Sequence, residues 1–256
     1  MTFHQTLWLF GIGLIAGALN SVAGGGGFLC FPALLFVGIP PVNANATATL
    51  ALWPATASAM AAYRGAMAGH RRVVLPLVVT GTIGGVLGAV LLLRTPQVTF
   101  MRMVPWLTLL ATVLFALSRQ VQKLIGSQSL QMYGPSRSRI AFAAVIQLII
   151  ATYLSFFGPG GGIIMLALFA VMGIVSIHTM NGLKMLLAGI CTGVGVVTFI
   201  VAKTIFWMQA VPMLAGTMLG GYLGAWYAQK TPQQFIRWLV IVVGLVMTVY
   251  FFIKAW

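Results

Sequence analysis

Six apolar stretches close to twenty residues long, at about 44–63, 73–93, 101–118, 183–202, 207–227 and 235–254, constrain this chain more than any other feature. A helix rises about 1.5 Å per residue and the hydrocarbon core of a bilayer is about 30 Å thick, so each stretch matches one membrane crossing. Two further regions, 6–38 and 140–174, are too long for one straight span. Each is interrupted by glycine: Gly24-Gly25-Gly26-Gly27 in the first, Gly158-Pro159-Gly160-Gly161-Gly162 in the second. Consecutive glycines destabilise a helix by about 1 kcal/mol each. Both regions therefore read as discontinuous helices, with a longer first piece, an unwound loop and a short second helix.

Composition agrees with a chain that lives in a membrane. Of 256 residues, 61% are hydrophobic and 5% are charged, against about 25% charged in a soluble domain. The charge is one-sided, with 14 Lys and Arg and no Asp or Glu. A nucleic-acid binder would gather such charge into a basic patch. Here it falls in short clusters at Arg64–Arg72, Arg94–Arg102, Arg119–Arg139 and Lys230–Arg237, between apolar stretches. That is the pattern of loops between membrane spans, and it implies lipid rather than nucleic acid as the surroundings. An enzyme is not expected either: no paired carboxylates and no Gly-x-Ser-x-Gly elbow are present, and Ser155 or Cys191 would be a nucleophile without an evident base. His4, His70 and His178 form no recognised ligand spacing with Cys30 and Cys191, so no metal or other cofactor is expected. Met1 to Ala23 lacks the basic start of a cleaved signal peptide, and its apolar pattern runs on through the glycines.

The chain also matches itself. Gly27-Phe28-Leu29 falls on Gly162-Ile163-Ile164, 135 positions later, Gly38-Ile39 on Gly173-Ile174, and Gly81-Thr82 on Gly216-Thr217. With one inserted residue, Gly84-Gly85-Val86-Leu87-Gly88-Ala89 falls on Gly220-Gly221-Tyr222-Leu223-Gly224-Ala225, and Arg94-Thr95-Pro96-Gln97 on Lys230-Thr231-Pro232-Gln233. The expected division is a first transmembrane repeat over 1–118, a polar basic linker over 119–139 and a second repeat over 140–256. Duplicated halves with interrupted helices in corresponding positions are the arrangement of secondary transporters, which bind substrate near the midplane where the breaks meet.

Charge counting leaves the topology open. If each broken region makes one crossing, the loops at 64–72 and 119–139 share a side with Lys203 and Lys254. That side holds nine basic residues against four, with Lys184 left inside a helix. If each broken region crosses twice, the halves become inverted, and the count is again nine against four.

Several of these segments resemble the sulfite exporter TauE/SafE family. In the first half they are Asn20-Ser21-Val22-Ala23 before the four glycines, Pro32 after them, Asn45-Ala46-Thr47-Ala48-Thr49 at the next helix start, and Ala62-Tyr63-Arg64. In the second half they are Gly158 to Gly162, Met180-Asn181-Gly182-Leu183-Lys184, and Gly220 to Ala225. The resemblance covers nearly the whole chain and implies a multipass inner-membrane permease for sulfite, sulfoacetate and other sulfur-containing or organic anions. It also implies the fold: an all-α polytopic membrane protein of about eight transmembrane helices in two four-span halves. The first helix of each half is broken at its glycine loop, and both termini are cytoplasmic.

An anionic substrate also follows from the breaks themselves. A half-helix beginning after Gly27 or Gly162 presents unsatisfied N–H groups and the positive end of its dipole. Lys184, two positions into an apolar stretch, is an intramembrane charge unless it snorkels to the interface. Its repeat counterpart is Thr49. Asn45 and Asn181 lie near matching helix starts, where either alone reads as a helix cap. The expected substrate-binding set is therefore Gly24, Gly25, Gly26, Gly27, Asn45, Thr49, Gly160, Gly161, Gly162, Asn181 and Lys184, with Asn20, Ser21 and Ser155 able to add hydrogen bonds. His178 reads as a loop residue, Trp53-Pro54 and Pro212 as kinks, and Trp8, Trp106, Trp207, Trp238 and Trp256 as an aromatic belt. The expected function is an anion permease with alternating access between its halves. The alternative is a scaffold or assembly subunit, which would keep the spans without needing donor-lined breaks. A homo-oligomer is compatible with either.

Overall fold

A computed structural model describes the backbone of residues 2–23, 25–62, 71–127, 137–172, 174, 177–228 and 233–255. Among the described residues the chain forms ten helices: α1 Phe3–Ala23, α2 Gly27–Phe36, α3 Pro41–Ala62, α4 Arg71–Arg94, α5 Gln97–Ser127, α6 Arg137–Phe156, α7 Gly161–Val171, α8 Ile177–Val201, α9 Trp207–Ala228 and α10 Gln233–Ala255. Four of them, α4, α5, α6 and α8, are long and apolar enough to cross a membrane, while α2, α7 and the Trp238–Lys254 part of α10 form shorter apolar helices. The six single-span stretches lie within α3, α4, α5, α8, α9 and α10, apart from a residue or so at their ends. The two broken regions become α1 with α2 and α6 with α7. Punctuation follows the sequence: Pro41 opens α3, where its missing N–H is not needed, and Pro96 separates α4 from α5.

Contacts give each helix its direction. Gly13 of α1 lies on Met213, Gly17 on Thr217 and Ala18 on Gly224, so α1 and α9 run parallel. Between α3 and α9, Thr47 accepts a hydrogen bond from the Phe206 N–H at 3.2 Å, the Thr217 hydroxyl donates to the Ala51 carbonyl at 2.5 Å, and Gly221 faces Ala55. These two helices are parallel as well. α5 begins beside the start of α3, its Gln97 accepting from the Val42 N–H at 2.8 Å and donating to Asn43 at 3.2 Å. α10 returns along α5, with Phe252 against Trp106 and Gly244 against Thr112. α8 runs antiparallel to α3: Asn43 donates to the Thr204 carbonyl and Trp53 to the Gly189 carbonyl, both at 2.9 Å. α6 lies parallel on α4, Leu148 over Gly84 and Thr152 over Gly88.

The chain reversals consequently sort onto two faces. One face carries the start of α1, the α4–α5 junction and the end of α10, and we call it the termini face. The other carries the ends of α3 and α5 and the start of α6, and we call it the linker face.

Here the structure corrects one expectation. The broken regions do not make single crossings; each turns back as a hairpin. Gly26 sits against Ala16 and Asn20 of α1. Phe28 then meets Phe115 of α5, Phe31 meets Phe100, and Phe36 reaches Tyr250 near the end of α10, so α2 heads back to the termini face. In the second region Gly161 lies on Leu154 of α6 and Gly162 on Lys184 of α8, and α7 heads back to the linker face. Glycine makes the reversals feasible. A Cβ on Gly26 would stand 2.7 Å from the Ala16 carbonyl oxygen, and Gly158 and Gly160 hold φ of 100° and 85°, a region that other residues rarely adopt.

Close approach of backbones also holds α1 to α9. A Cβ on Gly220 would collide with the Leu14 carbonyl, whereas one on Gly11 would meet nothing within 4 Å. Gly220→Leu should therefore lower the thermal unfolding midpoint of purified protein in detergent, by an amount corresponding to about 1–3 kcal/mol of overpacking or more. Gly11→Leu should leave the midpoint unchanged.

Candidate functional site

The two hairpin turns meet at the centre of the molecule. Gly27, the first residue of α2, faces Pro159 of the second turn, and a Cβ there would lie 3.0 Å from Pro159 Cγ. Because α2 leaves toward the termini face and α7 toward the linker face, both helices aim their N-terminal ends at this one region. Neither start is capped by a side chain: Gly26 and Gly160 occupy the cap positions. The N–H groups of Gly27 and Gly162, which have no backbone partner among the described residues, and the positive dipole ends are thus directed at the contact between the turns.

Lys184 borders the same place. It lies on α8 with its stem against Gly162, where a Cβ would be 3.3 Å from Lys184 Cδ, and it is half-buried. No side-chain carboxylate exists anywhere in the chain to neutralise it, and among the described residues its ammonium forms no hydrogen bond. Every fixed polar group brought to this point is therefore a donor or a neutral group. The arrangement suits an anion or a neutral acceptor and holds no carboxylate base.

The second turn is braced from two sides. Tyr153 of α6 donates its hydroxyl to the Pro159 carbonyl at 2.6 Å. Asn45, only 3% exposed, donates from α3 to the Phe156 carbonyl at 3.0 Å. Asn45 is the fifth residue of α3 rather than its cap, so its side chain reaches across to the other break instead of capping its own helix. Thr49 turns its hydroxyl proton to the Asn45 carbonyl at 2.8 Å, leaving its oxygen able only to accept. Asn181, the fifth residue of α8, is half-buried and makes no side-chain hydrogen bond among the described residues. Ser155 donates to the Cys191 carbonyl at 3.0 Å and ties α6 to α8.

Not every glycine of the breaks borders open space. Gly25 packs on Val240, Gly160 on Ala111 and Gly161 on Leu154, and these three are buried together with Gly26. Gly27 and Gly162, equivalent in the repeat, keep partial exposure, as do Thr49, Asn181 and Lys184. Gly24 and the side chains of Ser21 and His178 lie outside the described residues. Tyr153 carries no sequence signal beyond being a phenol in an apolar span five residues before a glycine break, and it was not among the expected site residues. Trp53, expected with Pro54 to mark a kink, donates its indole N–H to α8.

Comparison with known proteins gives the family. The family model for sulfite exporter TauE/SafE matches residues 9–251. A probable membrane transporter protein, ORF9, of a Sinorhizobium species is 28% identical, over 97% of this chain and 93% of its own length. A probable membrane transporter protein of Haemophilus influenzae is 28% identical over 94% and 91%. The probable membrane transporter protein YfcA of Escherichia coli K12 is 29% identical over 94% and 87%. No solved structure matches. All three relatives are named as membrane transporters and none as an enzyme. Matched over nearly its whole length, this chain belongs to the sulfite exporter TauE/SafE family of multi-pass membrane transporters.

Proposed function

We propose that the protein carries small anions, sulfur-containing or organic, and that it binds them where the two hairpin turns meet. The observation that carries this reading is Lys184: a cation beside two converging helix starts, in a chain without one acidic side chain. Each helix start contributes about half a positive charge and the lysine a whole one. An unpaired charge away from water is costly, and the chain offers no side-chain counter-ion, so a bound anion is the natural partner. Sulfite and sulfonate oxygens are acceptors and suit the N–H groups of Gly27 and Gly162 and the side chains of Asn181 and Lys184. Gly25, Gly26, Gly160, Gly161, Asn45 and Thr49 frame the turns, and Gly24, outside the described residues, joins the set by its place in the sequence. An inorganic or organic monoanion leaving a negative-inside cell gains about 2.3 kcal/mol per 100 mV, so export needs no coupling ion.

The halves 1–118 and 140–256 act as inverted repeats on either side of the 119–139 linker. Helix pairing supports this: α1 packs on α9 and its repeat equivalent α6 on α4, while α3 with α8 and α5 with α10 pair equivalents with each other. Each half thus leans on the other, and alternating access follows from rocking about the central contact. Orientation in the inner membrane changes with the hairpins. Among the described residues the linker face gathers Arg71, Arg72, Arg119, Lys123, Arg137, Arg139 and Arg237, against Arg94, Arg102, Lys203 and Lys254 on the termini face. The positive-inside rule then assigns the linker face to the cytoplasm and both termini to the opposite side, in place of cytoplasmic termini.

Reconstituted protein should exchange labelled sulfite in counterflow. Lys184→Ala should lower that exchange roughly 10- to 100-fold, the loss of one charge-assisted interaction, with Lys184→Arg retaining more. Equal exchange by wild type and Lys184→Ala would contradict the site. In intact cells an impermeant maleimide should label Thr2→Cys and spare Gln131→Cys, against a background kept low by the burial of Cys30 and Cys191. The reverse pattern would contradict the orientation.

A further inference from the structure

The two breaks are alike in sequence but not in how they are held. Among the described residues no side-chain hydrogen bond reaches Gly25, Gly26 or Gly27. The second break carries two, from the Tyr153 hydroxyl to the Pro159 carbonyl and from the Asn45 amide to the Phe156 carbonyl. It also holds two glycines at positive φ, Gly158 and Gly160, while Gly26 at the start of α2 keeps an ordinary right-handed conformation.

The repeat makes the asymmetry specific. At the 135-residue offset Tyr153 corresponds to Ala18, Asn45 to Met180 and Lys184 to Thr49. Each of these three polar groups is absent at its matching position, and all three act on the second break. Its bracing and its charge occur together: the loop that Tyr153 and Asn45 hold leads directly into Gly162, against which Lys184 lies.

From this we infer that the anion is held at the second break and that Tyr153 and Asn45 are positioning residues for it. Their bonds fix the carbonyls of Pro159 and Phe156 away from the ligand, so that the loop presents N–H groups to it and not lone pairs. A carbonyl turned toward an anion would repel it, and in a chain where one lysine supplies the charge, a small rotation of this loop weakens binding directly. The first break, which among the described residues no side-chain hydrogen bond braces, is the one that yields when the halves move. The inference rests on the transport reading given above.

Tyr153→Phe removes one oxygen and leaves the ring, so it keeps the packing while freeing the Pro159 carbonyl. In proteoliposomes this variant should raise the KM for sulfite counterflow about tenfold with Vmax within about a factor of two, the effect of one lost hydrogen bond felt in binding. The unfolding midpoint without anion should fall by no more than one lost hydrogen bond explains, and the upward shift produced by sulfite should shrink. Asn45→Ala should move KM in the same direction. Wild-type counterflow with an unchanged KM in Tyr153→Phe overturns the positioning role, as does a lowered midpoint without any change in KM, which would mark Tyr153 as structural only. Wild-type protein that shows neither counterflow nor sulfite-dependent stabilisation overturns the transport reading itself.

Discussion

Backbone polar groups inside a bilayer must find partners within the protein, and everything else in this molecule is arranged around two places where the helix ladder stops. At the starts of α2 and α7 the Phe28, Leu29, Gly161 and Ile163 N–H groups bond back to carbonyls of the glycine turns, and among the described residues those of Gly27 and Gly162 are left without a backbone partner. Both starts are turned to the same central region, and the adjoining Lys184 has no acidic side chain to pair with. The result is a concentration of positive potential enclosed by apolar helices. An unpaired charge in such surroundings is costly, which is the ground for the proposed anion.

Holding that centre together requires helices to pass unusually close. The α1–α9 and α4–α6 pairs achieve this with glycine against backbone, Gly17 on Thr217 and Gly88 on Thr152, as small-residue interfaces do where lipid offers no hydrophobic drive to associate. The polar links between helices are few and aimed at carbonyls: Trp53 to Gly189, Asn43 to Thr204, Ser155 to Cys191. Each satisfies a donor that hydrocarbon could not. On the termini face, Phe31 gathers Phe100, Phe157 and Phe251 around α2. The short helix is thereby anchored at its far end, while among the described residues its start carries no side-chain bond.

Much of this was legible in the residues. Apolar stretches about twenty residues long located α3, α4, α5, α8, α9 and α10, and runs of glycine marked the breaks because consecutive glycines destabilise a helix. Lys184 stood out as a charge within an apolar stretch. The direction of α2 and α7 was not legible. A glycine loop permits continuation or reversal equally, and the basic residues divide nine against four either way. Contacts decide it, Gly26 on Ala16 and Phe31 on Phe100, and they join positions whose proximity no local pattern announces. The same limit hid the work of Asn45 and Tyr153. An asparagine five residues into a helix looks like part of a cap, and its partner, Phe156, lies 111 positions away in the chain.

The central claim is that one anion binds between the opposed helix starts, beside Lys184. Crystals grown with selenite, which has the shape and charge of sulfite and a strong anomalous signal, test it directly. The account predicts an anomalous difference peak in contact with Lys184 Nζ and the Gly162 N–H, close to Gly27. Selenium density confined to the basic loops of the linker face, with none between the two glycine turns, would contradict it.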